Sequence, residues 1–343
     1  MNGMKIYLDA MGGDNAPGAT VEGALEALQK YPTVTLELGG AIDEVTVEVN
    51  RIFAGAEESV RSRLILADCP DVITNCESPV MAVRKKTRSS IVDGMLKLRD
   101  KQVDAFVSAG STGAVLAGGM FRLGRIPGID RPALAPLMPN GKGYFLLIDC
   151  GANVDCRPEW LKQFAVMGKA YMQGVLGLEN PRVGLVNNGA EAEKGCALTK
   201  EAYELLEKAD NLNFVGNVEA REITHDAADV IVCDGFVGNI ILKFMEGVAG
   251  TLMKIIKKEL KSDVRSQMGG LLAKPAFKRV AKVMDYTEVG GAPLLGVRGN
   301  VVKAHGSSNG HALACAIGQA VKMIESDVVG KIEKNLIGAE TAE

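Results

Sequence analysis

The sequence predicts an α/β protein with three α/β/α layers, a largely parallel mixed sheet covered by helices on both sides. Two patterns carry that expectation. Seven short apolar runs end at glycine or a small polar residue and are too continuous for a sheet with one wet face. Helical periodicity fills the intervals between them, the alternation expected of parallel strands joined through helices. Forty glycines against nine Phe and one Trp add many tight turns.

In chain order the strand runs are "KIYLDAMGG", "VTLELGG", "RLILADCP", "DAFVSAGSTG", "YFLLIDCGAN", "RVGLVNNG" and "DVIVCDGFVGN". The first helix, residues 17–30, opens with Pro17, whose fixed φ suits a first helical turn, and carries Val21, Ala24, Leu25 and Leu28 on one face. Residues 89–100, 159–176, 193–208, 237–260 and 306–325 read similarly. In such folds the ligand crevice lies beyond the carboxyl ends of the strands, where these glycines cluster. Residues 1–343 form either one large domain or two interleaved lobes. "MPNGKGY", residues 138–144, is either the boundary or a turn between two strands.

Composition narrows the function. With 47% hydrophobic and 24% charged residues the chain is not mostly disordered, and a net charge of -3 gives no global attraction to nucleic acid. Seven scattered cysteines without a C-x-x-C pair point to a reducing compartment and to mostly buried thiols. The first apolar run breaks at Asp9, far short of the roughly 20 residues of a spanning helix. A cytoplasmic protein is expected, with peripheral membrane contact left open. There is no G-x-G-x-x-G and no complete P-loop, and His225, His305 and His311 lack ligand spacing, so neither a nucleotide cofactor nor a metal is expected.

The glycine turns are the chemical candidates. In "DAMGGDNAPG", Gly12 and Gly13 let backbone approach a ligand while Asp9 and Asp14 fix the turn or orient a cation. "SAGSTGA" offers Ser108, Gly110, Ser111, Thr112 and Gly113 where a strand hands over to a helix, a favourable place for phosphate, although an ordinary capped turn reads the same. "DCGAN" and "CDGFVGN" repeat an acid, a glycine and an amide, supplying Asn153 and Asn239. "NNGAEAEKG" places Lys194 either as the cation for an anion or on a solvated first helical turn. "GVRGNVVKAHGSSNGH" gathers Arg298, Lys303 and His305, the histidine being able to orient or protonate a reacting group.

Two basic segments remain. "VRKKTR" carries Arg84, Lys85 and Lys86, and residues 254–282 hold nine Lys and Arg against two acids. The segment 254–286 reads as basic and amphipathic. Projected at 100° per residue, Leu272, Ala276, Phe277, Val280, Val283 and Met284 share one face, with Lys274, Lys278 and Lys282 opposite. That pattern suits a core-packed helix, an anionic membrane surface or a partner's acids.

Taken in order, "DAMGGDNAPG", "RKKTRSS", "DAFVSAGSTGA", "DCGAN", "EKG", "CDGFVGN" and "GVRGNVVKAHGSS" resemble the bacterial phosphate acyltransferase family of phospholipid synthesis over residues 5–325. The resemblance implies a fold like the isocitrate and isopropylmalate dehydrogenases and phosphotransacetylase, without a nicotinamide site. It implies transfer of a fatty acyl group from acyl carrier protein to inorganic phosphate, a homodimer, and delivery of acyl phosphate to a membrane-bound glycerol-3-phosphate acyltransferase. On that basis Ser108, Gly110, Ser111, Thr112 and Gly113 would bind phosphate, with Lys194 as cation and His305 as proton donor or orienter. Asn153 and Asn239 would meet the oxyanion or the pantetheine arm; Arg84, Lys85, Lys86, Lys274, Phe277 and Lys278 would dock carrier protein or membrane. A phosphotransacetylase-like enzyme using acyl-CoA is the nearest rival, since only its donor differs.

Overall fold

The computed structural model describes residues 3–284 and 286–340. The chain begins β1 (Met4–Asp9), α1 (Gly18–Lys30), β2 (Val34–Gly40), α2 (Ile42–Ile52), α3 (Glu58–Arg61), β3 (Leu64–Asp68), α4 (Pro79–Lys85), α5 (Ser90–Arg99), β4 (Ala105–Ser108) and α6 (Thr112–Gly118). A wide π-turn, Gly119–Leu123, extends α6. There follow β5 (Ala133–Leu134), β6 (Leu137–Pro139), β7 (Tyr144–Ile148), α7 (Pro158–Val175), β8 (Arg182–Asn187), α8 (Ala197–Glu207), β9 (Asn213–Glu219), β10 (Val230–Val232) and α9 (Gly235–Glu259). The last elements are α10 (Val264–Met284), β11 (Ala292–Leu295), β12 (Asn300–Lys303), α11 (Gly310–Glu325) and α12 (Val328–Glu340).

Among the described residues the strands form two sheets, ordered β3-β2-β1-β4-β12-β11-β5 and β6-β7-β10-β8-β9. Pairing is parallel except at β11 and β5 in the first sheet and β6 in the second. Every strand of the second sheet lies in sequence between β5 and β11, so the chain leaves the first sheet and later returns to it. "MPNGKGY" is the hairpin between β6 and β7, where the Asn140 side chain accepts from the backbone N–H groups of Lys142 (3.1 Å) and Gly143 (2.7 Å).

The continuous apolar runs have a simple cause. Ile6 and Leu8 enter one hydrophobic core and Tyr7 the other; Ala105 and Val107 oppose Phe106, and Leu146 and Ile148 oppose Phe145 and Leu147, in the same way. Both cores cross both sheets, one under α1, α7 and α11, the other under α5 and α6. Each fully buried Leu or Ile contributes roughly 1.5–3 kcal/mol, so a polar residue inside these runs needs a compensating network. Strands β5, β6, β9, β11 and β12 were not predicted: β5, β6, β11 and β12 are two to four residues long, and β9, seven residues, is for the most part only partly buried and carries Gly216 and Asn217 in place of a continuous apolar run. Cysteine burial is narrower than expected: Cys69, Cys150 and Cys233 are buried, but Cys76 and Cys196 lie exposed in loops.

Helices α9 and α10 form an arm that departs from this packing. Only Gly235 and Gly238 are buried in α9. A Cβ at Gly238 would stand 1.9 Å from the Asp149 carbonyl oxygen, so glycine lets the base of the arm seat against the end of β7. The core-packed reading of α10 is overturned: Leu271, Leu272, Val280 and Val283 are exposed. Lys274, Phe277 and Lys278 together line one groove of about 890 Å³ against Met253, Ile256 and Leu260, rather than occupying opposite faces. The Lys282 and Met284 side chains and Asp285, also part of that amphipathic reading, fall outside the described residues.

Candidate active site

Three parallel strands end together. In register, Lys303 of β12 pairs with Ser108 of β4, and β1 beside β4 ends at Asp9. All three side chains are buried. Asp9 accepts from the hydroxyls of Ser90 (2.5 Å) and Ser108 (2.7 Å) and from the Met11 N–H (3.2 Å). Burial pushes its carboxyl above the ordinary range, opposed by these bonds and by the charge of Lys303. Ser108 in turn accepts from the Gly110 N–H (2.9 Å), so the carboxylate, the hydroxyl and the glycine turn are one unit. A Cβ at Gly12 would lie 2.5 Å from the same carboxylate, and Gly13 has φ +101° with Asp14 N–H bonded to Gly306 (2.7 Å). Glycine is required there by contact and by conformation.

Above this floor lies a cleft of about 490 Å³ whose walls include Asp14, Gly110, Thr112, Asn239, Lys243, Glu246, Lys303 and His305. The Lys303 ammonium forms no ion pair among the described residues; it donates to the carbonyl oxygens of Ala109 (3.3 Å) and Ala304. Burial lowers its pKa to about 8, with Asp9 and Asp14 opposing and Lys243 reinforcing the shift. Lys243 reaches across from α9, held by Glu246 (2.9 Å), and its Nζ stands 3.5 Å from His305 Nε2. His305 Nδ1 stands 2.8 Å from the Ser307 hydroxyl and 3.2 Å from the Ser307 N–H, which turns Nε2 toward Lys243. Burial, then Lys243, holds the imidazole below its usual pKa. Two lysines, Lys243 and the buried Lys303, lining one cleft beside an imidazole make a receptor for an anion.

The predicted residues divide. Asp14, Gly110, Thr112, Asn239 and His305 meet at this cleft. Asp9, Gly12, Gly13 and Ser108 form its floor, with the Ser108 hydroxyl committed to Asp9. Ser111 stands at the N-cap of α6, and Gly113 packs under Pro79, where a Cβ would be 2.6 Å away. Asn153 is not brought to the cleft: its amide donates to Pro132 (2.8 Å) and Asp149 (3.0 Å). Asp149 also accepts from the N–H groups of Leu134, Ala152 and Asn153, and burial raises its pKa to about 6 against those bonds. Lys194 does not line the cleft either; it is exposed beyond β8, its carbonyl held by Asn187 (3.1 Å). Lys86 is tied to Glu77 (2.8 Å) and the Val72 carbonyl. Lys243 and Glu246 were missed, yet with Asn239 they fall at i, i+4 and i+7 of one helix, a spacing readable from the sequence.

The fold is one that phosphotransacylases share. The chain is similar to a phosphotransacetylase from Streptococcus pyogenes (TM-score 0.59, 18% identity, 94% of this chain and 95% of that one). A branched-chain phosphotransacylase from Enterococcus faecalis V583 has a like fold (TM-score 0.58, 12% identity, 94% and 99% covered). Sequence then resolves the family. The pattern of the family described as "Fatty acid synthesis protein" matches residues 4–331. Phosphate acyltransferases of Clostridium acetobutylicum and Clostridium novyi are 49% and 47% identical over 333 residues, 97% of this chain and 99% and 98% of theirs. The chain belongs to the phosphate acyltransferase family of fatty acid synthesis proteins, and it is an acyltransferase.

Proposed function

We propose that this enzyme transfers a fatty acyl group from the thioester of acyl carrier protein to inorganic phosphate, forming acyl phosphate for phosphatidic acid and phospholipid synthesis. The observation that carries the reading is Lys303, a buried cation without an ionic partner among the described residues, opening on a cleft shared with Lys243 and His305. Burying a charge that Asp9 and Asp14 offset only in part is costly, and a dianionic ligand offsets that cost further where a neutral one would not.

A phosphate oxygen held by Lys303 and Lys243 attacks the thioester carbonyl carbon. A C–O bond forms and the carbonyl oxygen becomes an oxyanion, which the Asn239 amide and the Gly110–Thr112 turn are placed to stabilise. The C–S bond then breaks, and the departing thiolate takes up the proton that monohydrogen phosphate brought in, for which His305 would serve as the relay. No enzyme nucleophile is needed, since phosphate is already anionic at neutral pH and a thiolate leaves readily. Cys150 lines the same cleft, but burial raises its thiol well above the ordinary range, so it stays protonated.

The arm fits the remaining roles. Among the described residues α9 is long and apolar enough to span a bilayer, but its base is held at the cleft. Its exposed stripe of Phe236, Ile240, Phe244 and Val248 is the face offered to a second copy in a homodimer. Exposed Leu271 and Leu272 beside Lys274 and Lys278 suit peripheral contact with an anionic membrane, where a membrane-bound glycerol-3-phosphate acyltransferase would receive the product. The test is release of thiol from palmitoyl-acyl carrier protein with hydroxylamine trapping of acyl phosphate. Both products are expected only when phosphate is present; turnover of palmitoyl-CoA alone would transfer the reading to an acyl-CoA donor.

A further inference from the structure

The basic segment at residues 83–88 is sorted by its contacts. Lys86 is spent on Glu77 and Val72, and Arg88 pairs with Asp68 (3.1 Å). Arg84 and Lys85, exposed at the carboxyl end of α4, form no ion pair among the described residues. Beside them Arg122 of the π-turn donates to the carbonyls of Val83 (2.8 Å) and Arg84 (3.4 Å), which fixes its guanidinium against the end of α4. Val80, Arg84, Phe121 and Arg122 line a hollow of about 490 Å³. Its apolar members stand in solvent: Val80 is 41% exposed, the neighbouring Met81 45% and Phe121 59%. An exposed phenylalanine sharing a hollow with Arg84 and Arg122 sets apolar surface beside positive charge that forms no ion pair among the described residues.

The ledge adjoins the cleft. Pro79, the first residue of α4, rests on Gly113 in the first turn of α6, and Thr112 and Asn75 on either side line the cleft wall. A macromolecular donor seated here therefore stands next to the cleft mouth, and its acyl thioester has only to cross the start of α6.

We infer that Val80, Met81 and Phe121, rimmed by Arg84, Lys85 and Arg122, form the docking surface for an acidic carrier protein, whose carboxylates pair with the cations while an apolar helix face covers Phe121. The inference rests on the donor proposed above and adds where that donor binds. Charge complementarity selects the occupant: cations that form no ion pair among the described residues, set around an exposed apolar centre, match an acidic protein surface, and such pairs set association rate and register. The groove of the α9–α10 arm, reached through different elements, has no part in it.

The experiment compares the full-length enzyme with R84E, with F121S, which changes no charge, and with K208E, an equal charge change at an exposed lysine on α8's carboxyl side. Initial rates are taken against palmitoyl-acyl carrier protein and against phosphate, at two salt concentrations. R84E and F121S are each expected to raise the KM for the carrier-protein substrate about tenfold, with kcat and the KM for phosphate within about twofold; K208E is expected to change neither. R84E should also flatten the salt dependence of the carrier KM, whereas F121S should leave it intact. An active wild type whose carrier KM is unmoved by both variants would overturn this surface and leave the donor reading standing. Loss of anionic-vesicle binding in R84E with an unchanged carrier KM would overturn it in favour of lipid. If the wild type cleaves palmitoyl-CoA but not the carrier thioester, the donor reading itself fails and this surface fails with it.

Discussion

The cleft floor and the α9–α10 arm place the same kind of residue under opposite conditions. At the floor one lysine, Lys303, is buried beneath a glycine turn, and its neighbours' polar groups are bonded into the Asp9–Ser108–Gly110 unit. On the arm, lysines lie in solvent around exposed leucines; Val237, Ile241, Leu242 and Met245 anchor the start of α9 on one core, and among the described residues nothing from there to the end of α10 packs on either. Charge density along the chain favours the arm; physical consequence favours the floor. An exposed lysine is hydrated and screened, so its loss changes little, whereas a buried one is held only because the site needs it.

The comparison is broken most directly by Lys303→Met. Catalytic efficiency toward phosphate should fall by about 10²- to 10³-fold, the scale of losing a preorganised charge at the reacting group. Folding stability should rise, on the order of 1–3 kcal/mol, because a desolvated charge is replaced by an apolar chain of similar length. The stability gain has a pH signature. The folded pKa of Lys303 is about 8, below the ordinary 10.5, so the wild-type cost is full below pH 8 and fades as pH rises toward 10.5. The gain in Tm over wild type should therefore be largest below pH 8, and wild-type KM for phosphate should climb above it. Unchanged phosphate kinetics in the variant would move the anion site elsewhere.

Asp149→Asn sharpens the same contrast from the opposite charge. The carboxylate oxygens accept from Leu134, Ala152 and Asn153, so an amide would turn donors toward donors. Chemical denaturation should show a loss of about 2–3 kcal/mol. The wild-type group, with a folded pKa of about 6 against 3.8, binds its proton more tightly when folded. Its contribution is present below about pH 4 and lost as pH rises through 6. Stability equal to wild type would mean the network reorganises around the amide.

The smallest effect is expected on the arm. Leu272→Glu should leave Tm unchanged, with unfolding free energy within about 0.5 kcal/mol, because Leu272 is 84% exposed and packs on nothing it could lose. A loss of 2 kcal/mol or more would show that this face is covered in solution, and the loss should then scale with protein concentration if a second copy covers it.

Much of this was legible in the chain. The seven predicted strands and the helices between them announce themselves as uninterrupted apolar runs, which burial on both faces demands of all but the edge strand β3, where no residue is fully buried; the glycine turns stand where most of those runs stop. The ordered motifs also carried the family. Asp14, Gly110, Thr112, Asn239 and His305 were legible as members of one site, since strand ends converge in such folds. Which hydroxyl, amide and lysine face the cleft was not. Ser108 and Asn153 look like free donors in sequence, but Asp9 and Asp149 claim them, and those bonds join residues 99 and 4 positions apart. Lys194 sits in as suggestive a motif as Lys303, and only the return of β12 to pair with β4 decides between them. Local patterning is fixed by period and turn chemistry, which neighbouring residues determine; the pairing of a charge with its site depends on strands that meet across 195 residues of chain, and that is settled by packing alone.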